Sequence, residues 1–131
     1  MKKIPSIGLI LIFITATLIG CGSSEYIPQG AAKTATFEGT FFGTRFTGTC
    51  RIDIFELSDG TQRFEGNLTG EGSFSVFLRG TVAQNRLDGQ LQAPADGSIS
   101  GSMSPDGDQI SGNYTLTSPS TDNGTWKAVK K

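Results

Sequence analysis

The sequence predicts an all-β domain, a small eight-stranded antiparallel up-and-down β-barrel, and three observations carry that prediction. A five-residue unit recurs from Thr36 onward: an apolar residue, a polar one, glycine, a polar one, an apolar one. Strict alternation of this kind places side chains on opposite faces of half-buried strands. Turn-forming pairs fall between the copies: Asp59-Gly60, Asp96-Gly97, Asp106-Gly107 and Asn123-Gly124 supply residues that adopt positive φ in tight hairpins. The 18 glycines are spread along the chain instead of gathering in a linker, and with the Thr and Phe enrichment they oppose helix.

Each element follows from one copy. Phe37-Glu38-Gly39-Thr40-Phe41 gives a strand over 36–43, and Phe46-Thr47-Gly48-Thr49-Cys50 with Ile52 and Ile54 gives 46–57. Phe64-Glu65-Gly66-Asn67-Leu68 gives 62–70, and Leu78-Arg79-Gly80-Thr81-Val82, preceded by Phe74 and Val76, gives 74–82. Leu87-Asp88-Gly89-Gln90-Leu91 predicts 86–93, Ile99-Ser100-Gly101-Ser102-Met103 predicts 98–103, and Ile110-Ser111-Gly112-Asn113-Tyr114 predicts 109–117. A partial copy, Gly124-Thr125-Trp126-Lys127-Ala128, gives 124–129. Pro94, Pro105 and Pro119 lie in the gaps, where a missing amide proton costs little. Connections this short make neighbouring strands antiparallel.

A flat eight-stranded meander would leave two unpaired edges and one apolar face. Closure into a barrel removes both defects, and at eight strands side chains can fill the interior. A β-sandwich of the same meander is the alternative. The inward set is Phe37, Phe41, Phe46, Ile52, Ile54, Phe64, Leu68, Phe74, Val76, Leu78, Val82, Leu87, Leu91, Ile99, Met103, Ile110, Tyr114, Leu116 and Trp126, with Cys50 in the same register. The outward positions are polar at nearly every copy.

The first twenty residues differ in kind. Met1-Lys2-Lys3 precedes an apolar run closing on Leu18-Ile19-Gly20-Cys21, the layout of a secretory leader. The run is short for a spanning helix, which needs about 20 apolar residues, and Pro5 interrupts it. Its ending resembles the lipobox of bacterial lipoproteins. That resemblance implies cleavage before Cys21, a diacylglyceryl group on its sulfur, and a membrane partner reached through the lipid. The expected organisation is a leader over 1–20, a lipidated cysteine and flexible tether over 21–35, and the barrel over 36–131. Gly22 follows the cysteine; under the sorting behaviour of that class, outer-membrane placement is expected if the cell has two membranes.

Composition restricts the chemistry. Without Lys2 and Lys3, nine Lys and Arg face twelve Asp and Glu, a net of about −3, and no basic run supports nucleic-acid binding. With Cys21 committed to lipid, Cys50 has no disulfide partner, since the chain holds two cysteines; it reads as a small buried hydrophobe. No histidine occurs, so His-dependent nucleophiles and His-ligated zinc are unavailable. Glu38, Glu65 and Asp88 sit beside glycines at equivalent outward positions, where pairing with Arg79 or water outweighs paired-carboxylate catalysis. Asp106-Gly107-Asp108 lacks the rest of a calcium loop and reads as a hairpin turn. The Asn67, Asn113 and Asn123 sequons are expected by chance in a chain of this composition.

Two candidate sites remain. The inward glycines Gly39, Gly48, Gly66, Gly80, Gly89, Gly101 and Gly112 either let the strands coil sharply or leave a mid-height cavity for a small apolar ligand. Tyr114 and Trp126 would be that cavity's polar groups. On the outside, Phe42, Phe55, Leu57 and Phe77 break the polar pattern. Contiguous, they would mark a partner patch; scattered, they reflect register slips and barrel ends. Ser111-Gly112-Asn113-Tyr114 is similar to the Ser-Gly-x-x-Tyr signature of membrane-bound lysozyme inhibitors, also small lipid-anchored barrels. Here the tyrosine comes one residue early, and that family's disulfide cannot form. The expected function is a non-catalytic, cofactor-free module for a protein or envelope partner, with a carrier of a small apolar ligand or a lysozyme-inhibitor-like envelope protein as the alternatives.

Overall fold

Alternation and short turns produce eight strands in the computed structural model, which describes residues 26–72 and 74–131. The leader, Cys21 and the start of the tether lie outside the described residues. The strands are β1 (Ala32–Gly43), β2 (Thr47–Glu56), β3 (Gln62–Gly70), β4 (Ser75–Ala83), β5 (Arg86–Leu91), β6 (Asp96–Met103), β7 (Gln109–Ser118) and β8 (Asp122–Lys130). Each pairs antiparallel with the next, and β8 pairs with β1, closing one barrel in sequence order. The prediction of an up-and-down barrel holds, and the sandwich alternative is excluded.

Following directly opposed residues once around the wall shows the stagger of closure. From Phe55 the line runs through Arg63, Thr81, Asp88, Ser100, Asn113, Thr125 and Phe42. It re-enters β2 at Thr47, not at Phe55. That offset tilts the strands against the barrel axis.

The core is the inward set almost as read. Sixteen of the nineteen expected side chains are buried, joined by Cys50, Ala95 and Ala128, while Phe46, Phe74 and Met103 are half-buried and pack against them. Phe46 and Phe74 stack at 4.4 Å near the barrel end where β1 meets β2, above Phe41 and Tyr114.

Several boundaries differ from expectation. β1 begins at Ala32, so Ala32, Lys33 and Ala35 of the expected tether pair with β2 around a bulge at Thr34. Asp96-Gly97 and Asn123-Gly124 are not turns. Gly97 opposes Leu91 and Leu116, and Gly124 opposes Tyr114 and Gly43, so both sit in the wall. The connections they were expected to make fall earlier, at 92–95 and 119–121, around Pro94 and Pro119. Asp59-Gly60 and Asp106-Gly107 do form turns, with Gly60 at φ +88° and Gly107 at φ +78°. The tightest connection, Gln84-Asn85 at φ 54° and 64°, has the double positive φ of a type I′ hairpin without its usual glycine.

Candidate functional site

The wall's glycines lie mostly opposite bulky inward residues: Gly66 faces Ile52 and Leu78, Gly80 faces Phe64, Gly101 faces Leu87, and Gly112 faces Trp126. Large side chains thus fill the room that small ones leave. A Cβ on Gly89 would lie 2.7 Å from Phe64 Cζ, and one on Gly101 would lie 2.6 Å from Trp126 Cζ2. At Gly39, Gly48, Gly80 and Gly112 a Cβ would strike the backbone of the adjoining strand. Close strand approach and coiling therefore account for these positions. The space in front of Gly66, Gly89 and Gly101 is occupied by Ile52, Phe64 and Trp126.

The polar groups assigned to that cavity are committed elsewhere. Trp126 Nε1 donates to the carbonyls of Ser100 at 3.1 Å and Asn113 at 3.3 Å. Tyr114 donates its hydroxyl to Asp122 Oδ2 at 2.7 Å. Asp122, buried at 4 % exposure, also accepts from the amides of Arg45 at 2.8 Å and Phe46 at 3.2 Å. Burial alone would raise this carboxyl's pKa, but the bonds from Tyr114 and from the Arg45, Phe46 and Asn123 backbone outweigh it and hold the pKa below the ordinary aspartate value. Burial, then the bond and charge of Asp122, push the Tyr114 phenol upward. A Cβ on Gly43 would collide with both groups, so the glycine ending β1 leaves room for the clip. Sequence reading missed Asp122, whose place before Asn123-Gly124 suggested a turn residue.

Cys50 is buried at 3 % exposure, and its thiol is pushed up to about 11 by burial, a backbone bond at Gly39 acting weakly the other way. Its Sγ lies 3.8 Å from the Thr40 carbonyl and 3.7 Å from that of Lys127. This is a packed, unreactive sulfur.

The four outward apolar residues do not form one patch. Phe42 and Phe77 are 57 % and 63 % exposed, but they stand on β1 and β4, with β2 and β3 between them. Phe55 and Leu57 are half-buried at the opposite end of β2, with Lys33 Nζ 5.8 Å from the Phe55 ring centroid. The Ser-Gly-x-Tyr segment is also divided by the wall: Ser111 is exposed outside, whereas Tyr114 is buried inside.

The outer surface has two chemically different halves. On β1 to β4 it carries ionic side chains: Arg51 contacts Glu38 at 3.6 Å and Asp53 at 3.4 Å, Lys131 reaches Glu38 at 3.2 Å, and Arg79 opposes Glu65. Asp88 on β5 pairs with Arg86 at 3.5 Å. The three carboxylates noted beside glycines thus stand on three different strands, each among basic side chains. Asp106 accepts from Ser104 Oγ at 2.6 Å and the Asp108 amide at 3.0 Å, an engagement internal to its turn.

Across β6, β7 and β8 most outward side chains are hydroxyls and amides, with the exposed Asp96, Lys127 and Val129 among them. Directly opposed positions make two uncharged rows, Ser98–Thr115–Asn123 and Ser100–Asn113–Thr125, and a third, Ser102–Ser111–Lys127, ends on a cation. Strand geometry sets about 5 Å between neighbours in a row and about 7 Å between rows. Phe42, opposite Thr125 on β1, bounds this face. Beside it a groove of about 370 Å³ is lined by Phe42, Ser111, Gly112, Thr125, Trp126 and Lys127. A second, of about 320 Å³, adjoins it along β8 and shares Ser111 and Lys127.

No family model matches the chain, and no curated protein matches it.

Proposed function

We propose that the chain is a lipid-anchored envelope lipoprotein whose barrel serves as a non-catalytic binding module. Its anchor is the lipid on Cys21, and Gly22 favours the outer membrane where a cell has two. Two or more acyl chains hold a protein firmly, at about 0.8 kcal/mol per buried methylene, where one chain binds marginally. The observation that carries the binding role is the contrast between inside and outside. Tyr114, Trp126 and Cys50 are engaged within the core, while exposed Phe42 stands beside an open groove on the wall. A carrier role would need interior room where Ile52, Phe64 and Trp126 now sit.

Two measurements test this reading. Cells expressing the full chain and fed an alkyne fatty acid should label the wild type and not Cys21→Ala; an unlabelled wild type removes the anchor. A photo-crosslinking amino acid at position 42, exposed in cells to light, should give a discrete adduct that is missing when the probe stands at Arg51. Equal or absent adducts at both positions would reject a partner at this face.

A further inference from the structure

We infer that the barrel stands on its membrane with one polarity: the rim holding both of its ends faces the lipid headgroups, and the opposite rim, beside Phe42, is presented to the water. The inference rests on the lipid-anchored reading and adds which surface meets which neighbour. The first observation is topological. Eight strands in sequence order bring the start of β1 and the end of β8 to one rim, with the connections 57–61, 84–85 and 104–108. Hydrogen bonds stitch this rim together. Met103 N donates to the Asn85 carbonyl at 2.8 Å, Lys130 N to that of Asp108 at 2.8 Å, and Lys131 N to that of Thr36 at 2.9 Å. The chain enters the wall here, at Ala32 opposite Glu56. Phe42 lies at the other end of β1, just before the 44–46 connection.

The second observation is length. Eleven residue steps separate Cys21 from Ala32. A chain of that length spans about 36 Å at full extension and about 18 Å as a coil. β1 rises about 28 Å from rim to rim, at about 3.3 Å per residue and a tilt of about 40°. An inverted barrel would therefore hold the connecting segment near its limit along the outer wall, whereas the terminal rim can approach the headgroups without stretching it. Charge acts in the same direction. The terminal rim carries Lys33, Arg63, Arg86, Lys130 and Lys131 against Glu56, Asp59, Asp106 and Asp108. The opposite rim carries Arg45 against Glu71, Asp96 and the buried Asp122. An anionic lipid surface attracts Lys and Arg side chains standing near it, and it repels the more acidic rim. A partner at Phe42 then approaches from the aqueous side, not from within the anchoring bilayer.

The test is fluorescence quenching on the full chain purified with its lipid. A bimane label is placed at Ser58→Cys or Pro105→Cys on the terminal rim, and at Thr44→Cys or Thr121→Cys on the other. The buried Cys50 leaves the unsubstituted chain as an unlabelled control. Each variant, shown folded by circular dichroism, is reconstituted in vesicles of phosphatidylethanolamine and phosphatidylglycerol containing a lipid with a nitroxide on its headgroup. Quenching at positions 58 and 105 should exceed that at 44 and 121 at least threefold. Equal quenching at the two rims, or stronger quenching at 44 and 121, would overturn the inference. The intact mass of each chain separates the two readings. A lipid on Cys21 with even quenching removes the polarity alone, and a chain without lipid removes the anchor and the polarity together.

Discussion

At the scale of single residues, Asp122 is the polar group on which the barrel end depends. It accepts from Tyr114 and from the Arg45 and Phe46 amides in a buried setting. A buried donor left without its acceptor costs about 1–3 kcal/mol, so Asp122→Ala should lose about 2–4 kcal/mol in urea denaturation. Acid dependence follows from the direction of the shift. A carboxyl whose folded pKa is depressed contributes stability above its unfolded value, and loses it as pH falls through the folded one. The stability gap between wild type and Asp122→Asn should therefore be constant near neutrality and shrink below about pH 4. A gap that widens on acidification would contradict the clip. Cys50 has the opposite sign. Its pKa is raised to about 11, so its contribution is complete below its unfolded value and fades as pH rises from there toward 11. Native protein should resist iodoacetamide at pH 8 and react after denaturation; rapid native labelling would mean that the thiol is reachable.

At the scale of elements, the connections set the register, and there sequence reading was least informative. The Gln84-Asn85 turn holds two non-glycine residues at positive φ, a conformation that costs an L-residue roughly 1–2 kcal/mol. Gln84→Gly should raise stability by about 0.5 kcal/mol once the entropy of glycine is subtracted, read as a small rise in thermal midpoint. Gly80→Ala tests the wall itself. Its Cβ would meet the Asp88 carbonyl and Gly89 Cα, and overpacking of this kind costs about 1–3 kcal/mol. Alternation made the strands legible because core and solvent demand opposite chemistry at adjacent positions. Asp-Gly pairs were legible as turns where the chain reverses on them, as at Gly60 and Gly107. They misled at Gly97 and Asn123-Gly124, where the same residues serve close packing against β7 and β1. Ala32 to Ala35 were read as tether because their register depends on pairing with β2, which no local pattern records. The polar rows were likewise hidden, since Ser100, Asn113 and Thr125 become neighbours only through the registers of the two hairpins that join β6, β7 and β8. Phe42 was legible as an outward-facing residue, whereas its place relative to Phe55 depends on strand register.

At the scale of the whole molecule, one continuous core links all eight strands, so the barrel should unfold as a unit. Trp126, the chain's single tryptophan, lies buried between β7 and β1. Its fluorescence and far-ultraviolet circular dichroism should report coincident urea transitions; separated midpoints would reveal independent parts. Closure also governs how anything else can attach. Where the barrel is closed, each strand spends its main-chain amides and carbonyls on two neighbours, so beyond short stretches such as Ala32–Ala35 of β1, paired with β2 alone, an extended peptide finds little edge at which to join the sheet by β-augmentation. Recognition is left to side chains standing on the wall and to the loops at its rims. Substitutions there can retune what is held without disturbing the hydrogen-bonded hoop beneath.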